Sequence, residues 1–382
     1  MTQPVAVGRP EVLLCPGPVL LSPGVKRALA QCEIGHRDRR FSDLVVRLRR
    51  NCGEVLGATG DHSVMFVSGP ATAGIEGVFA TLFCQGGTVA VPVNGTFGDR
   101  LVDILRTHGI PCAPIEFGFG TPFDLARIEE LLDGPDGTGI AAIAMTHHET
   151  SCGLVNPIAA VCSLAKARGL RTFVDATSSA GAEELDVARD RIDACVTSSG
   201  KCLHAPPGVA LVCVRRDWLA ERTGHHVRSF SLDLRRYHDQ IEANSQTPFT
   251  PAVPVFVALD RAVEELLEQG GVAERRRQYG RRRAMLAAGL ARLGLPLLQL
   301  PAGSAACSIL TVGLPATLGF DELYAALRDR GYVIYGAKPP LATRYFQLSV
   351  MGDLTDTDLA GFLAALESLV SGPVRRYRAA TA

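Results

Sequence analysis

Thr172-Phe173-Val174-Asp175-Ala176-Thr177-Ser178-Ser179 is the stretch that decides the fold. A short apolar run stops on a carboxylate and gives way to small and hydroxylated residues, as a buried strand does where it enters a loop. The same pattern repeats on both sides. Short apolar runs predict strands over 63–67, 88–92, 141–146, 171–175, 194–197 and 209–214, with helices over 73–83, 96–108 and 157–168 between them. Repeated strand-helix-strand order predicts an α/β chain built on a mostly parallel, doubly wound sheet.

Beyond residue 215 the pattern changes. Long helices are expected over 255–268 and 272–293, then strands over 308–312, 332–335 and 345–350 with helices over 320–330 and 355–370. This mixture predicts a smaller α+β C-terminal domain. The expected division is a large domain over 16–265 and a small one over 266–382, with residues 1–15 packing against the latter.

Composition narrows the class. The 382 residues are 47% apolar and 20% charged, and Lys+Arg and Asp+Glu balance at 39 each, so no global charge points to nucleic acid or a membrane surface. The basic run Arg275-Arg276-Arg277 with Arg281-Arg282-Arg283 is expected to be a solvated helix face, because no aromatic residues interleave it. Eleven cysteines include no CxxC pair or zinc spacing, and Cys84, Cys162 and Cys195 read as small buried hydrophobes in a reducing compartment. No secretory leader is expected, and no apolar run approaches the roughly 20 residues that span a bilayer. The expectation is a soluble, cytoplasmic protein.

Ligands of open α/β sheets bind outside the carboxyl ends of the strands, and the chemically suggestive segments fall there. Gly69-Pro70-Ala71-Thr72 opens a helix and offers backbone N–H groups to a phosphate, though a tight strand-to-helix turn accounts for it as well. Asn94-Gly95-Thr96-Phe97-Gly98 brings an aromatic ring to a strand end. His147 and His148 lie beside Glu149, but neighbours on a strand point to opposite faces, so no metal site is expected. Lys201, in Ser198-Ser199-Gly200-Lys201-Cys202, follows Asp175 by 26 positions. A lysine amine and a carboxylate at two strand ends of one sheet are what pyridoxal phosphate chemistry needs. The amine bonds the cofactor aldehyde, and the carboxylate keeps the ring nitrogen protonated.

As a set, these segments resemble the class V family of pyridoxal phosphate aminotransferases of fold type I, and most closely its 2-aminoethylphosphonate:pyruvate aminotransferases. Further matching stretches are Cys15-Pro16-Gly17-Pro18, Gly35-His36-Arg37-Asp38, His148-Glu149-Thr150, Arg228-Ser229-Phe230, Phe249-Thr250-Pro251 and Gly331-Tyr332-Val333-Ile334-Tyr335. The resemblance implies transamination of a small amine or amino acid with a 2-oxo acid, in a homodimer with active sites at the interface. It implies that Lys201 bonds the cofactor and moves the substrate's proton. It further implies that Asp175 pairs with the ring nitrogen, Phe97 stacks on the ring and Thr150 lies near the phenolic oxygen. Ala71, Thr72 and Ser198 would hold the phosphate, with Thr250 arriving from the partner. Pro16, Gly17, Arg37 and the position of Gln347 would meet the substrate.

Two positions depart from the family. Pro70 replaces a serine and removes one N–H donor. Gln347 stands where the family carries an arginine for the substrate's acid group, and an amide cannot form that bidentate, charged contact. Arg344 is three residues away, on the opposite face of the expected strand. Arg37, Arg228 and Lys338 are the other cations that could pair with an acid group. The expectation is intact cofactor machinery with altered substrate recognition. The alternatives are a desulfurase-type lyase, for which Cys307 in Gly303-Ser304-Ala305-Ala306-Cys307-Ser308 would be the nucleophile, and a non-catalytic cofactor-binding regulator.

Overall fold

The computed structural model describes residues 11–31, 33–83, 86–221 and 227–371. Cys84 and the first ten residues of the segment expected to pack with the small domain lie outside them.

The central sheet has seven strands in the order His62–Ser68, Val209–Arg215, Ala194–Ser198, Arg171–Asp175, Ile140–Thr146, Thr88–Val93, Cys112–Glu116. Val209–Arg215 runs antiparallel to both neighbours, and every other pairing is parallel. The strands are short and apolar because helices cover both faces, and separate apolar clusters form there around Phe66 and Phe256 and around Phe79 and Phe173. Cys162 and Cys195 are buried in the first of these. The strand Cys112–Glu116, unforeseen from sequence, tolerates Pro114 because it lies at the sheet edge, where a missing N–H costs little.

A three-stranded antiparallel sheet, Ile309–Gly313, Tyr345–Ser349 and Tyr335–Gly336, forms the second unit with the helices Gly271–Arg292, Phe320–Arg328 and Asp356–Val370. The strand expected over 332–335 is two short pieces. Tyr332–Val333 pairs in parallel with Val12–Leu13, while Tyr335–Gly336 pairs with Tyr345–Ser349. The N-terminal strand therefore leaves this unit and delivers Pro16 and Gly17 to the large sheet.

The basic helix corrects the expectation of a solvated face. Arg276, Arg277 and Arg281 are exposed and pair with Glu184 or Glu274. Arg275 is buried and donates to the Cys202 carbonyl at 2.7 Å. Arg282 donates to the carbonyls of Val350, Gly352 and Leu354. Two arginines of the run thus cap backbone carbonyls, Arg275 across to the large unit and Arg282 within the small one. A one-dimensional charge pattern does not reveal which side of a helix meets an interior.

Candidate active site

Asp175 ends its strand beside Thr146 and is 2% exposed. One carboxylate oxygen accepts the Thr177 amide at 3.0 Å and the Thr177 hydroxyl. The other accepts Arg100 Nη2 at 3.0 Å. Arg100 comes from the helix Thr96–Thr107, one turn after Phe97, and its guanidinium carbon lies 4.7 Å from the Phe97 ring centroid. Sequence reading passed over Arg100. Its spacing of three from Phe97 on a helix was the available signal.

Lys201 follows the strand Ala194–Ser198, and its amine donates to the Pro16 carbonyl. Gly17 has φ +130°, and a Cβ there would lie 2.8 Å from Lys201 Nζ, so only glycine lets the N-terminal turn approach the amine this closely. Burial holds the amine below its ordinary pKa, and the nearby Arg100 charge acts in the same direction, against Cys202, Cys15 and Asp175. The loop is braced from behind. His204 N–H donates to the Lys201 carbonyl at 2.9 Å, and Arg275 caps Cys202.

Next to the Lys201 strand, Gly69 N–H donates to the Gly208 carbonyl at 2.8 Å and the helix Ala71–Leu82 begins. Pro70 occupies the cap position with no side-chain bond. Ala71 and Thr72 are the first two helical residues, whose amides have no acceptor within the helix. Ser198 is 9% exposed at the end of the adjacent strand, and its hydroxyl accepts the Gly200 amide at 3.3 Å.

Glu149 fixes the aromatic ring. It is fully buried, and one oxygen accepts the amides of Phe97 at 3.0 Å and Gly98 at 3.2 Å. The other accepts the Ser151 amide and hydroxyl. A carboxylate therefore caps the helix that carries both Phe97 and Arg100. Burial raises the Glu149 pKa, and these four donors oppose the rise. Thr150 follows. Its hydroxyl donates to the His148 carbonyl at 3.3 Å, and its own carbonyl accepts Gln347 Nε2 at 2.7 Å.

Gln347 is 3% exposed and faces Thr311 across the small sheet, donating to the Thr311 hydroxyl at 3.3 Å as well. Arg344 precedes the strand Tyr345–Ser349 and is exposed, so strand alternation does not govern it. Arg37 donates to Gln246 Oε1 and to the carbonyls of Thr247 and Pro248, which fixes the segment leading to Thr250. Thr250 is exposed, and Ala252 N–H donates to Ser68 Oγ at 3.0 Å, beside the turn that opens the Ala71 helix. Arg228 is exposed, and it lies near Gly109 and donates its amide to the Ala80 carbonyl. Lys338 Nζ is 5.8 Å from the Phe97 ring centroid.

The two histidines do not converge. His148 Nδ1 bonds the Ser178 carbonyl at 2.9 Å, while His148 Nε2 and His147 Nδ1 are buried without partners among the described residues. Burial lowers both pKa values, that of His147 to about 3. Among the described residues no group of three His, Cys, Asp or Glu side chains is placed to hold a metal ion. Cys307 donates its amide to Glu183 at 2.7 Å, and burial pushes its thiol pKa far up, opposite to what a nucleophilic thiolate needs.

Comparison with known proteins gives a consistent result. The family model described as Aminotransferase class-V matches residues 25–331. The chain is 33% identical over 360 residues to 2-aminoethylphosphonate–pyruvate transaminase 1 of Polaromonas sp., covering 93% of this chain and 95% of that protein. It is 31% identical to the 2-aminoethylphosphonate–pyruvate transaminase of Pseudomonas aeruginosa, covering 94% and 95%. Among solved structures, ureidoglycine-glyoxylate aminotransferase from Bacillus subtilis matches with a TM-score of 0.90 at 25% identity, covering 96% of this chain and 95% of that one. Alanine–glyoxylate aminotransferase from Nostoc sp. shares the fold, with a TM-score of 0.90 at 23% identity over 97% and 98%.

Proposed function

Because this chain belongs to the class-V aminotransferase family, we propose that it transfers the amino group of a small amine or amino acid to a 2-oxo acid, with Lys201 as its catalytic residue. It is a pyridoxal phosphate-dependent enzyme of the type I fold. The observation that carries the assignment of roles is the buried Lys201 amine, held below its ordinary pKa one strand away from the buried Asp175 carboxylate.

The residues present fit the cofactor: a desolvated amine, a buried carboxylate with a flat cation already on it, a ring fixed beside that cation, and unspent helix-end amides. When bound, pyridoxal phosphate supplies an aldehyde for the amine and a protonated ring that accepts electrons from the carbon losing its proton. Lys201 would be the group to bond that aldehyde and afterwards to move a proton, because burial shifts its amine toward the neutral, nucleophilic form. Asp175 would face the ring nitrogen, Phe97 the ring, Thr150 the phenolic oxygen, and Ala71, Thr72 and Ser198 the phosphate. Pro16 and Gly17 would border the substrate.

The homodimer is part of the proposal, with Thr250 reaching the partner's phosphate site. It is supported by the exposure of Thr250 and of Phe230, 69% exposed and 5.8 Å from the Phe249 ring. Arg37, through Thr247 and Pro248, would position Thr250 rather than touch substrate. The division into a large domain over 16–265 and a small one over 266–382 is also proposed, supported by their separate apolar clusters. So is a cytoplasmic location. Among the described residues no helix is long and apolar enough to cross a membrane. Substrate recognition is proposed to differ from the relatives named above, since Gln347 spends its amide on Thr150 and Thr311.

Loading the purified chain with pyridoxal phosphate should give the absorbance band of lysine-bound cofactor. A panel of amines including 2-aminoethylphosphonate and alanine should abolish that band, and pyruvate or glyoxylate should restore it. A Lys201→Ala chain that still shows the band, or a panel in which no amine changes it, would defeat the reading.

A further inference from the structure

We propose that Lys338 is the residue that holds the acid group of the substrates. The inference rests on the transamination reading, in which every 2-oxo acid brings a carboxylate to the site.

Gln347 does not serve. A primary amide has two N–H donors, and both are used, on the Thr150 carbonyl and the Thr311 hydroxyl. What remains is an acceptor oxygen, which repels an anion. Arg344 is exposed, with its guanidinium over the Tyr345 ring, and the other guanidinium groups near the site are committed. Arg100 pairs with Asp175, and Arg37 holds three acceptors of the Gln246–Pro248 segment.

Lys338 differs from each of these. Its ammonium lies 5.8 Å from the centroid of Phe97, the ring that Glu149 fixes beside Arg100. Among the described residues it has no carboxylate partner. Its neighbour Ala337 is buried with Cys152, Leu154 and Leu341, which anchors the stem just past the strand paired to Gln347. An ammonium resting on an aromatic face keeps its full charge for an incoming anion, whereas one in an ion pair does not. A compact point charge also accepts carboxylate and phosphonate alike, without the planar geometry that a guanidinium imposes. The substrate class is therefore small acidic amines and 2-oxo acids, the acid group lying on Lys338 and the reacting carbon at Lys201.

The test uses cofactor-loaded wild type, Lys338→Met and Lys338→Arg, titrated calorimetrically with methylphosphonate and, separately, propanoate. The expected result is binding by wild type, weakening of about tenfold or more in Lys338→Met, and recovery in Lys338→Arg. Tighter binding of methylphosphonate would mark phosphonates as the natural class, and tighter binding of propanoate would mark carboxylates. In parallel, kcat/KM for 2-aminoethylphosphonate or alanine should fall in Lys338→Met while that for propylamine holds. Unchanged anion binding in Lys338→Met, no anion binding by wild type, or equal loss for acidic and neutral amines would overturn the proposal. If no amine is converted by wild type, the transamination reading fails while the titration still decides the role of Lys338.

Discussion

Arg100 Nη2 lies 3.0 Å from Asp175 Oδ2, joining residues 75 positions apart. The carboxylate expected to meet a cofactor ring nitrogen already carries a guanidinium on one oxygen and Thr177 on the other. On that proposed role, two cations would share one carboxylate when the cofactor is bound. Arg100 is also close enough to help lower the Lys201 pKa. It thus acts electrostatically on both residues that the cofactor chemistry requires.

Arg100→Met should destabilise the cofactor-free chain by roughly 1–3 kcal/mol, because Asp175 is 2% exposed while the arginine is 29% exposed and partly screened. With the competing cation gone, pyridoxal phosphate should raise the thermal midpoint more than it does in wild type. Thermal melts with and without cofactor measure both effects, and an unchanged ligand-induced shift would show that Arg100 and the cofactor do not share Asp175.

Glu149→Gln replaces an acceptor-only group that meets four donors with an amide that brings donors of its own. A cost of about 2 kcal/mol in urea unfolding is expected, together with weaker cofactor binding as Phe97 loses its fixed position. Wild-type values for both would mean that packing alone holds the Phe97 helix.

Gln347→Arg removes the bond to the Thr150 carbonyl and crowds a site that is 3% exposed. The expected cost is about 1–3 kcal/mol of stability. Selectivity for 2-aminoethylphosphonate over propylamine should rise about tenfold, since a guanidinium pairs bidentately with a phosphonate. Steady-state kinetics with the two amines decide the outcome. A flat selectivity would show that position 347 does not face the substrate.

Cys307→Ala should leave transamination within about twofold of wild type, and neither protein should release sulfide from cysteine. The thiol is kept protonated by burial, and only a thiolate attacks sulfur efficiently. Sulfide release that depends on Cys307 would revive the lyase alternative.

His147 is 2% exposed and its pKa falls from an ordinary 6.5 to about 3, because burial disfavours the charged ring. The unfolded chain takes up this proton below pH 6.5, whereas the folded chain refuses it until about pH 3. Stability should therefore fall with pH across that window. Between pH 6.5 and 5 the loss is roughly 2 kcal/mol from this residue. His147→Leu should show a correspondingly shallower loss in urea melts at the two pH values, and an identical loss would refute the assignment.

Sequence by itself determined the alternation of short apolar runs with amphipathic helices, and hence the parallel sheet with Asp175, Thr146 and the Ser198 loop along one edge. Those features are local: strand and helix periods are readable within a few residues, and strand ends in such a sheet point one way. The motifs around Phe97, Thr150 and Lys201 were legible for the same reason. Only the tertiary structure decided the pairings between them. Nothing near Arg100 in sequence marks Asp175 as its partner, and nothing near Gln347 marks the Thr150 carbonyl as where its amide is spent. Arg275 looked like one more solvated charge until the fold turned its side of the helix toward Cys202. Hydrogen-bond and ion partners are set by which surfaces the crossover helices and the small unit bring together. That depends on packing over the whole chain, so cofactor chemistry could be read from motifs while substrate recognition could not.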